Sequence, residues 1–318
     1  MKLRDIYNTI IEEGIKHDPR GKKGVYDYLK KVKKDYGSLN GRDKKAFDRE
    51  KLNNPFSDTR ILYGDHGKDM KNIMVGIDIE GQEVLLADSL RRKGKKIDLL
   101  LSHHPEGFAR SIFYEVMNVQ LDILKGLGVS PGKAKKLLDE RMAEVMRKIL
   151  AGNAMRSVDT ARLLKIPMMC VHTPADNFVS EYINKLINRN KPKTVGDLID
   201  ILLKEPEYKH AVSVNAGPKM ILGDASNRCG KIAIEMTGGT EGPKKIFPEM
   251  AKAGVKTIVG MHMSEDHYKK AKKHNFNVLV AGHISSDNIG LNLLLDSIDK
   301  NNRLNIIPCS GFIRVRRN

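Results

Sequence analysis

The sequence predicts an α/β fold made of two α/β halves with mixed sheets, to which an N-terminal helical extension and a helical insertion are added. Short apolar runs alternate with longer stretches of helical periodicity between residues 73 and 308, a pattern typical of strands joined by helices. Proline or glycine follows several of these runs and marks where the strand ends. Polar residues stand just after the runs, at the strand ends where open α/β sheets bind their ligands.

Residues 1–56 are the predicted helical extension. Apolar residues recur at helical spacing from Leu3 to Ile15, which indicates an amphipathic helix. The run from Pro19 to Gly21 breaks that helix, and two shorter helices are expected after it. We expect the extension to pack either on the core or on a neighbouring subunit.

The first α/β half is predicted over residues 57–190. A strand at 73–79, a helix at 82–93 and a strand at 97–102 form a β-α-β unit. Residues 111–151 are helical by pattern but too long for a single crossover. This segment is therefore expected to be a helical insertion beside the ligand pocket.

The second α/β half is predicted over residues 191–318. Thr194 is the expected N-cap of its first helix. The remaining predicted elements are strands at 211–214, 219–222, 231–236, 257–260 and 277–281, helices at 265–274 and 287–302, a closing strand at 305–308 and an edge strand at 312–317.

Three strand-like runs end in histidine, and these endings together predict a metal site. The residues that follow the runs are His103 and His104, His172 with Asp176, and His283 with Asp287. A histidine and an acid four positions apart lie on the same face of a helix. Imidazole and carboxylate together form the N/O ligand set that Zn, Mn, Fe, Co or Ni accepts. For the adjacent histidine pair taken alone, a surface turn is an equally good interpretation.

These segments resemble those of the NIF-three-like proteins, which are often described as GTP cyclohydrolase type II homologues. The matching motifs are His103-His104-Pro105, His172 to Asp176, and Gly282-His283 followed by Asp287 and Gly290. The resemblance also includes the strand that ends at Asp78, and it extends from Ser57 to the carboxyl end apart from the helical insertion.

The resemblance implies a dinuclear centre with two divalent metal ions, drawn from Zn, Mn, Fe, Co or Ni. Its implied ligands are His103, His104, Asp176, His283 and Asp287. The family usually has glutamate at the last position, and the shorter Asp287 favours contact with one ion over a bridge between two. Asp176 is therefore expected to bridge, and His172 is expected to position Asp176. The resemblance also implies a ring-like homo-oligomer, for which a hexamer is the expected form.

Three further residues are candidates for proton transfer: His262, His267 and Glu106. The two histidines follow the strand at 257–260 and are expected near the same sheet edge. Contact with substrate is the alternative role for His262, and capping of its own helix is the alternative for His267. The glycine-rich turn at 237–242 is either an anion cradle or a tight strand-to-helix turn.

Composition bounds the partners of this 318-residue chain, which has a net charge of +17. Such a charge attracts anionic metabolites and polyanions, but the lysine runs are scattered and tryptophan is absent. Nucleic acid is therefore a weakly supported partner, because single-strand binding needs aromatic platforms. No apolar stretch has transmembrane length or the form of a secretory signal. With three scattered cysteines, a cytoplasmic protein without membrane contact is expected.

The resulting functional hypothesis is a metal-dependent hydrolase of the cyclohydrolase or phosphohydrolase type. The positive charge of two divalent ions exceeds the negative charge of two carboxylates, so the site is positive overall. Such a site favours an anionic small-molecule substrate such as a nucleotide or another phosphorylated compound. The alternative hypothesis is a non-catalytic metal-binding protein with a regulatory or assembly role. An open coordination position that faces a pocket distinguishes the first hypothesis from the second.

Overall fold

The computed structural model describes residues 1–317, which form two mixed β-sheets covered by helices. The strands are β1 (Arg60–Tyr63), β2 (Asn72–Gly76), β3 (Leu99–Ser102), β4 (Met168–Cys170), β5 (Lys219–Leu222), β6 (Lys231–Glu235), β7 (Val255–Gly260), β8 (Asn277–Val280) and β9 (Asn305–Cys309). The helices of the first part are α1 (Leu3–Lys16), α2 (Gly21–Gly37), α3 (Gly41–Ala46), α4 (Gly81–Arg92), α5 (Gly107–Ser111), α6 (Val119–Gly126), α7 (Pro131–Ile149) and α8 (Arg156–Leu163). Those of the second part are α9 (Thr173–Asn190), α10 (Val195–Leu202), α11 (Pro206–Ser213), α12 (Phe247–Lys252), α13 (Glu265–Lys273) and α14 (His283–Ile298). Short 3-10 helices span Arg49–Leu52 and Phe113–Asn118.

The strand directions bring the predicted histidine segments to common sheet edges. The first sheet has the order β1-β4-β3-β2-β9, and the second has the order β5-β8-β7-β6. Strands β2, β3, β4 and β9 are parallel, with β1 antiparallel at the edge. Strands β6, β7 and β8 are likewise parallel, with β5 antiparallel. The predicted α/β class with mixed sheets is therefore confirmed.

The β-α-β unit of the first sheet follows from its sequence pattern. Ile73 and Val75 on β2 face one apolar core, while Met74 faces another on the opposite side of the sheet. All three side chains are buried, as expected for a parallel strand covered on both faces. Glu80 and Glu83 form a capping box at the start of α4, which fixes where the chain leaves β2.

The N-terminal extension packs on the core of the first sheet. Leu3, Ile6 and Ile10 on α1 are fully buried and belong to the same apolar cluster as Ile73 of β2 and Leu291 of α14. The surface that α1 covers is therefore the core of the same chain and not a neighbouring subunit. The apolar stripe of α1 is thus part of the packed interior.

The C-terminal part of the chain returns to the first sheet. Strand β9 pairs with β2 in parallel, and α14 packs against α9 and α1. The two sheets therefore do not correspond to two separate halves of the sequence. The domain boundaries predicted at residues 56 and 190 stay predictions.

Two predicted strands are wrong. Residues 211–214 were expected to be extended, but Pro206–Ser213 is helix α11. Tyr208 and Ala211, three positions apart, are the buried apolar side chains of this helix, whereas Val212 is 51% exposed. The tail expected as an edge strand at 312–317 forms no strand among the described residues; it is held instead by Arg317, whose guanidinium donates to both carboxylate oxygens of Glu207.

The predicted helical insertion is present, and it packs on the second sheet. It consists of α6 and α7 with the preceding 3-10 helix. Leu124 and Ala134 share an apolar cluster with Ala233 of β6 and with Phe247. Among residues 1–317, no helix is both long and apolar enough to cross a membrane.

The crossing of α9 and α14 depends on Gly290, and its replacement is the first testable prediction. A Cβ at this position would meet the carbonyl oxygen of Ala175 and lie 2.9 Å from its carbonyl carbon. We expect Gly290→Ala to lower the free energy of unfolding by about 1–3 kcal/mol, because rigid backbone must move apart. Urea denaturation measures this. Gly132→Ala is the control, since nothing lies within 4 Å of that position; equal losses for both variants would contradict the account.

Candidate metal centre

The three predicted segments converge at one place between the sheets. The amide N–H groups of His103 and His104 donate to the carbonyl oxygens of Gly76 and Ile77 at 2.9 Å each, which continues the ladder between β3 and β2. His172 precedes α9 and Asp176 lies in its first turn. His283 and Asp287 lie one turn apart at the start of α14, as their spacing predicts.

Asp287 lies at the middle of this cluster. Its Oδ1 is 3.4 Å from Nε2 of His103, while its Oδ2 is 3.5 Å from Nε2 of His104 and 3.6 Å from Nε2 of His283. The side chain is 1% exposed. Each carboxylate oxygen therefore faces a different set of imidazoles. This position between two sets differs from the single-ion contact expected from the shorter aspartate side chain.

Asp176 completes one of the two sets. Its Oδ1 is 3.4 Å from Nε2 of His103, and its Oδ2 is 3.7 Å from Nε2 of His172. His172 was expected only to position Asp176, but its ring lies among the candidate ligands. Ligand-type atoms of His103, His104 and His172 lie within 4.8 Å of one another. His172 is thus an additional candidate ligand that the sequence pattern assigned to a lesser role.

Unpaired buried atoms show that the cluster suits a cation. Nε2 of His103, Oδ1 of Asp176 and both carboxylate oxygens of Asp287 are buried without a hydrogen-bond partner among the described residues. Such atoms are costly to leave unpaired in a protein interior. Ligand atoms around a tetrahedral ion with bonds of 2.0–2.2 Å lie about 3.3–3.6 Å apart. The separations at this site match that spacing, so the residues present fit a metal ion.

The outer nitrogens of His103, His104 and His172 are each held by a neighbour. Nδ1 of His103 is 3.0 Å from the carbonyl oxygen of Val171, and Nδ1 of His104 is 2.7 Å from Oδ1 of Asp78. Nδ1 of His172 is 2.8 Å from Oδ2 of Asp58. These contacts direct Nε2 of each ring into the cluster, which is the usual support of a metal-binding histidine.

Asp58 and Asp78 are the supporting carboxylates that sequence reasoning did not assign a role. Asp78 follows strand β2, so its position at a strand end was an available signal. Asp58 precedes the antiparallel edge strand β1, and no local pattern places it beside His172. Its Oδ2 also accepts a hydrogen bond from the Thr173 hydroxyl at 2.6 Å.

The metal-free cluster holds protons. Burial alone would lower the pKa of His103, but the carboxylates of Asp287 and Asp176 outweigh burial and raise it to about 10. Burial likewise opposes the rise at His104, where the nearby carboxylates of Asp287 and Asp78 raise the pKa to about 9. Burial lowers the pKa of His283 despite the nearby Asp287 carboxylate. A metal ion would thus replace protons that His103 and His104 carry at neutral pH.

Of the residues predicted to transfer protons, His262 reaches the centre. Its ring centroid is 4.9 Å from that of His283, and its side chain is 46% exposed. Both ring nitrogens of His267 are engaged within the chain, Nδ1 by the Ser264 hydroxyl at 2.8 Å and Nε2 by the carbonyl oxygen of Gly242 at 2.9 Å. His267 therefore contacts the start of α13 and the neighbouring loop, and its expected role in proton transfer stays a prediction.

Glu106 is also separate from the cluster. Its carboxylate accepts a hydrogen bond from the Ser157 hydroxyl and lies 3.6 Å from Arg110. It lines a different, polar cleft together with Arg156 and Thr160. The role expected for Glu106 in proton transfer stays a prediction.

A cavity opens beside the metal-ligand cluster. The space within it, together with the open solvent at its mouth, amounts to about 830 Å³. His172, Asp176, His283 and Asp287 form one end of its lining. The glycine-rich turn predicted at 237–242 forms part of the wall. Because α12 begins only at Phe247, this turn does not lead directly into a helix N-terminus.

Comparison with solved structures identifies the fold. A NIF3 superfamily protein from Sphaerobacter thermophilus is similar to this chain with a TM-score of 0.69 and 24% identity, over 80% of this chain and 92% of that protein. Reduced HcgD from Methanocaldococcus jannaschii has a TM-score of 0.49 and 15% identity, over 78% and 87% of the two chains. No family model and no curated protein matches the sequence. The chain has the fold of the NIF3 superfamily, which confirms the NIF-three-like resemblance at the level of the fold.

Replacement of the two central carboxylates should have unequal effects on metal binding. Asp287→Asn should abolish retention of zinc, because Asp287 faces both sets of imidazoles. Asp176→Asn should lose less zinc, because His104, His283 and Asp287 keep their arrangement. Elemental analysis after zinc loading and gel filtration measures the zinc content. Asp139→Asn, on the exposed surface of α7, is the control, and a larger loss for Asp176→Asn would refute the central position of Asp287.

Stabilisation by zinc should increase with pH. Protonated His103 and His104 stabilise the metal-free fold, and this contribution is complete below about pH 6.5. It is lost as the pH rises through their raised pKa values of about 9 and 10. Zinc must displace those protons, so its binding strengthens over the same interval. Melting temperatures with and without one added equivalent of zinc per site, from pH 6.5 to 8.5, test this. A zinc-induced shift that shrinks with rising pH would contradict it.

Proposed function

We propose that this protein is a metal-dependent hydrolase of the cyclohydrolase or phosphohydrolase type, with a dinuclear centre of divalent ions. The observation that carries the proposal is the continuity between the cluster and the cavity. Asp176, His283 and Asp287 belong to the cluster and also line the cavity. A purely structural metal site would be closed by its protein ligands, whereas here the ligands face a space that a small molecule can enter.

The proposed ligands form two sets that share Asp287. His103, Asp176 and Oδ1 of Asp287 would hold one ion, with His172 alongside. His104, His283 and Oδ2 of Asp287 would hold the other. A pair of divalent ions supplies Lewis acidity and activation of water when bound. The chain's own part is to keep these side chains oriented through Asp58, Asp78 and the Val171 carbonyl, as described above.

His262 is the proposed proton-transfer group. Its ring lies beside His283 and lines the cavity. Nδ1 of His262 is 3.9 Å from Oε1 of Glu241, so a carboxylate lies beside the ring. An imidazole that is partly exposed to the cavity can give a proton to a leaving group at its free nitrogen.

The substrate in this proposal carries an anionic group, as in a nucleotide or another phosphorylated molecule. The two ions would attract that group, and the net charge of +17 would favour its approach. The same proposal includes a cytoplasmic homo-oligomer, with a hexamer as its expected form. Apolar residues left exposed on α4 and α8, such as Leu85 at 58% and Leu163 at 71%, support association of subunits.

The test is hydrolysis by the full chain reconstituted with Mn or Zn. A panel of nucleotides is assayed, each paired with the corresponding nucleoside, before and after removal of metal by a chelator. We expect turnover of the nucleotide only, its loss with chelator and its return with metal. Turnover that a chelator leaves unchanged, or equal turnover of both partners, would contradict the proposal. Retention of metal without turnover of any compound in the panel would favour the regulatory or assembly alternative.

Replacement of His262 separates proton transfer from metal binding. We expect His262→Ala to lower kcat about 100-fold or more, while zinc content stays as in the native protein. His210→Ala is the control, because His210 lies on the surface helix α11. Unchanged kcat in His262→Ala would refute the role, and parallel loss of zinc would make His262 a metal ligand instead.

A further inference from the structure

The cavity beside the metal cluster has an apolar body to which the helical insertion contributes. Ile123 and Leu124 of α6 and Leu127 just after it belong to the lining. The other apolar lining residues include Ile234, Met236, Ile246 and Met261. The chain segment between Gly238 and Thr240 is held against α6, because the Gln120 amide donates to both carbonyl oxygens at 2.8 and 2.7 Å. This arrangement gives the cavity a fixed apolar surface on which a flat or aliphatic group can pack.

Two carboxylates provide the polar part of the cavity. Glu235 follows the apolar run of β6 and lines the space. No hydrogen bond or ion pair to its carboxylate is found among residues 1–317. Glu241 differs, because its Oε1 accepts the Ser264 amide at 2.6 Å and its Oε2 is 3.5 Å from His267. Outside the metal-ligand cluster, Glu235 therefore offers an unpaired carboxylate to the cavity, whereas Glu241 is fixed within the chain.

The unpaired carboxylate of Glu235 has an unusual pKa. Burial among the surrounding walls raises the pKa of Glu235 to about 7, and repulsion by Glu241 adds to the rise, although solvent in the cavity reaches the side chain. A hydrogen-bond donor at this position would stabilise the ionised carboxylate.

The charge of the lining opposes an anion at this end of the cavity. Among the described lining residues there is no lysine or arginine. Arg141 contacts the cavity wall from outside the lining, because its Nε donates to the Glu241 carbonyl oxygen. Its Nη1 is paired with Glu144 at 2.9 Å. A phosphate or carboxylate would therefore face Glu235 without a counter-charge, at a considerable electrostatic cost.

We propose that this cavity binds an organic group that combines an apolar body with N–H donors, namely an amine, an amidine or an amino-substituted heterocycle, and that Glu235 is its specificity-determining acceptor. The body packs on Leu124, Leu127 and Ile234, and the N–H groups donate to the Glu235 carboxylate. This inference rests on the proposed function for the role of the site, since it describes the part of the substrate that carries no phosphate. A phosphate on the same substrate would lie at the metal end.

The test measures binding of three matched probes to the metal-free full chain at pH 8 by calorimetry. Benzamidine, benzamide and benzoate share one ring and differ in charge and donors. We expect benzamidine to bind at least about tenfold tighter than benzoate, with benzamide between them, because a donor paired with a charged acceptor contributes that much. Glu235→Gln should remove about tenfold of the benzamidine affinity. Glu265→Gln, an exposed carboxylate on α13, should leave that affinity unchanged.

Two outcomes would overturn the inference. Benzoate binding as tightly as benzamidine would show that the cavity is not selective for donors, and an unchanged benzamidine affinity in Glu235→Gln would remove its proposed acceptor. Circular dichroism of each variant confirms that the fold is kept, and the probe series in the native protein gives an answer even where a variant does not fold. The measurement needs neither metal nor turnover. A protein that selects benzamidine through Glu235 but hydrolyses nothing would refute the proposed function alone.

Discussion

A buried carboxylate without hydrogen-bond partners is the constraint on which the rest of this structure depends. Asp287 is almost fully enclosed, and both of its oxygens face imidazole nitrogens across 3.4–3.6 Å. An enclosed negative charge needs compensating positive charge, and in the metal-free protein this compensation comes from protons on His103 and His104. The same residues have the separations that metal ions require. The cluster therefore exchanges protons for metal, and its stability and its chemistry are linked.

The fold supplies this carboxylate with its neighbours through two features. Parallel strands end side by side, so that residues following β3 and β4 enter one space. The close crossing of α9 and α14 at Gly290 then brings the first turns of both helices to the same space. Neither feature alone would assemble the cluster, because the histidines come from strand ends and the two central carboxylates come from helices. The helical insertion adds a cavity wall to this arrangement and determines what can reach the site.

Much of this could be predicted from the sequence, and the failures have physical causes. The histidine segments were predictable because apolar runs bounded by breakers fix where strands end, and parallel strand ends meet. Residues 211–214 were mistaken for a strand because their valines favour extended structure, whereas packing of Tyr208 and Ala211 selects a helix. The central position of Asp287 was not predictable, since it depends on how closely two helices cross. Glu235 carried no signal either, because an acid at the end of a strand is usually a surface residue and no local pattern places it in a cavity wall.

Anomalous diffraction from crystals of the zinc-loaded protein tests the central claim most directly. The account predicts two zinc peaks, one on each side of the Asp287 carboxylate. One peak should contact His103 and Asp176, and the other should contact His104 and His283. A single peak bound by Asp176 without Asp287, or no peak within reach of these residues, would contradict the account.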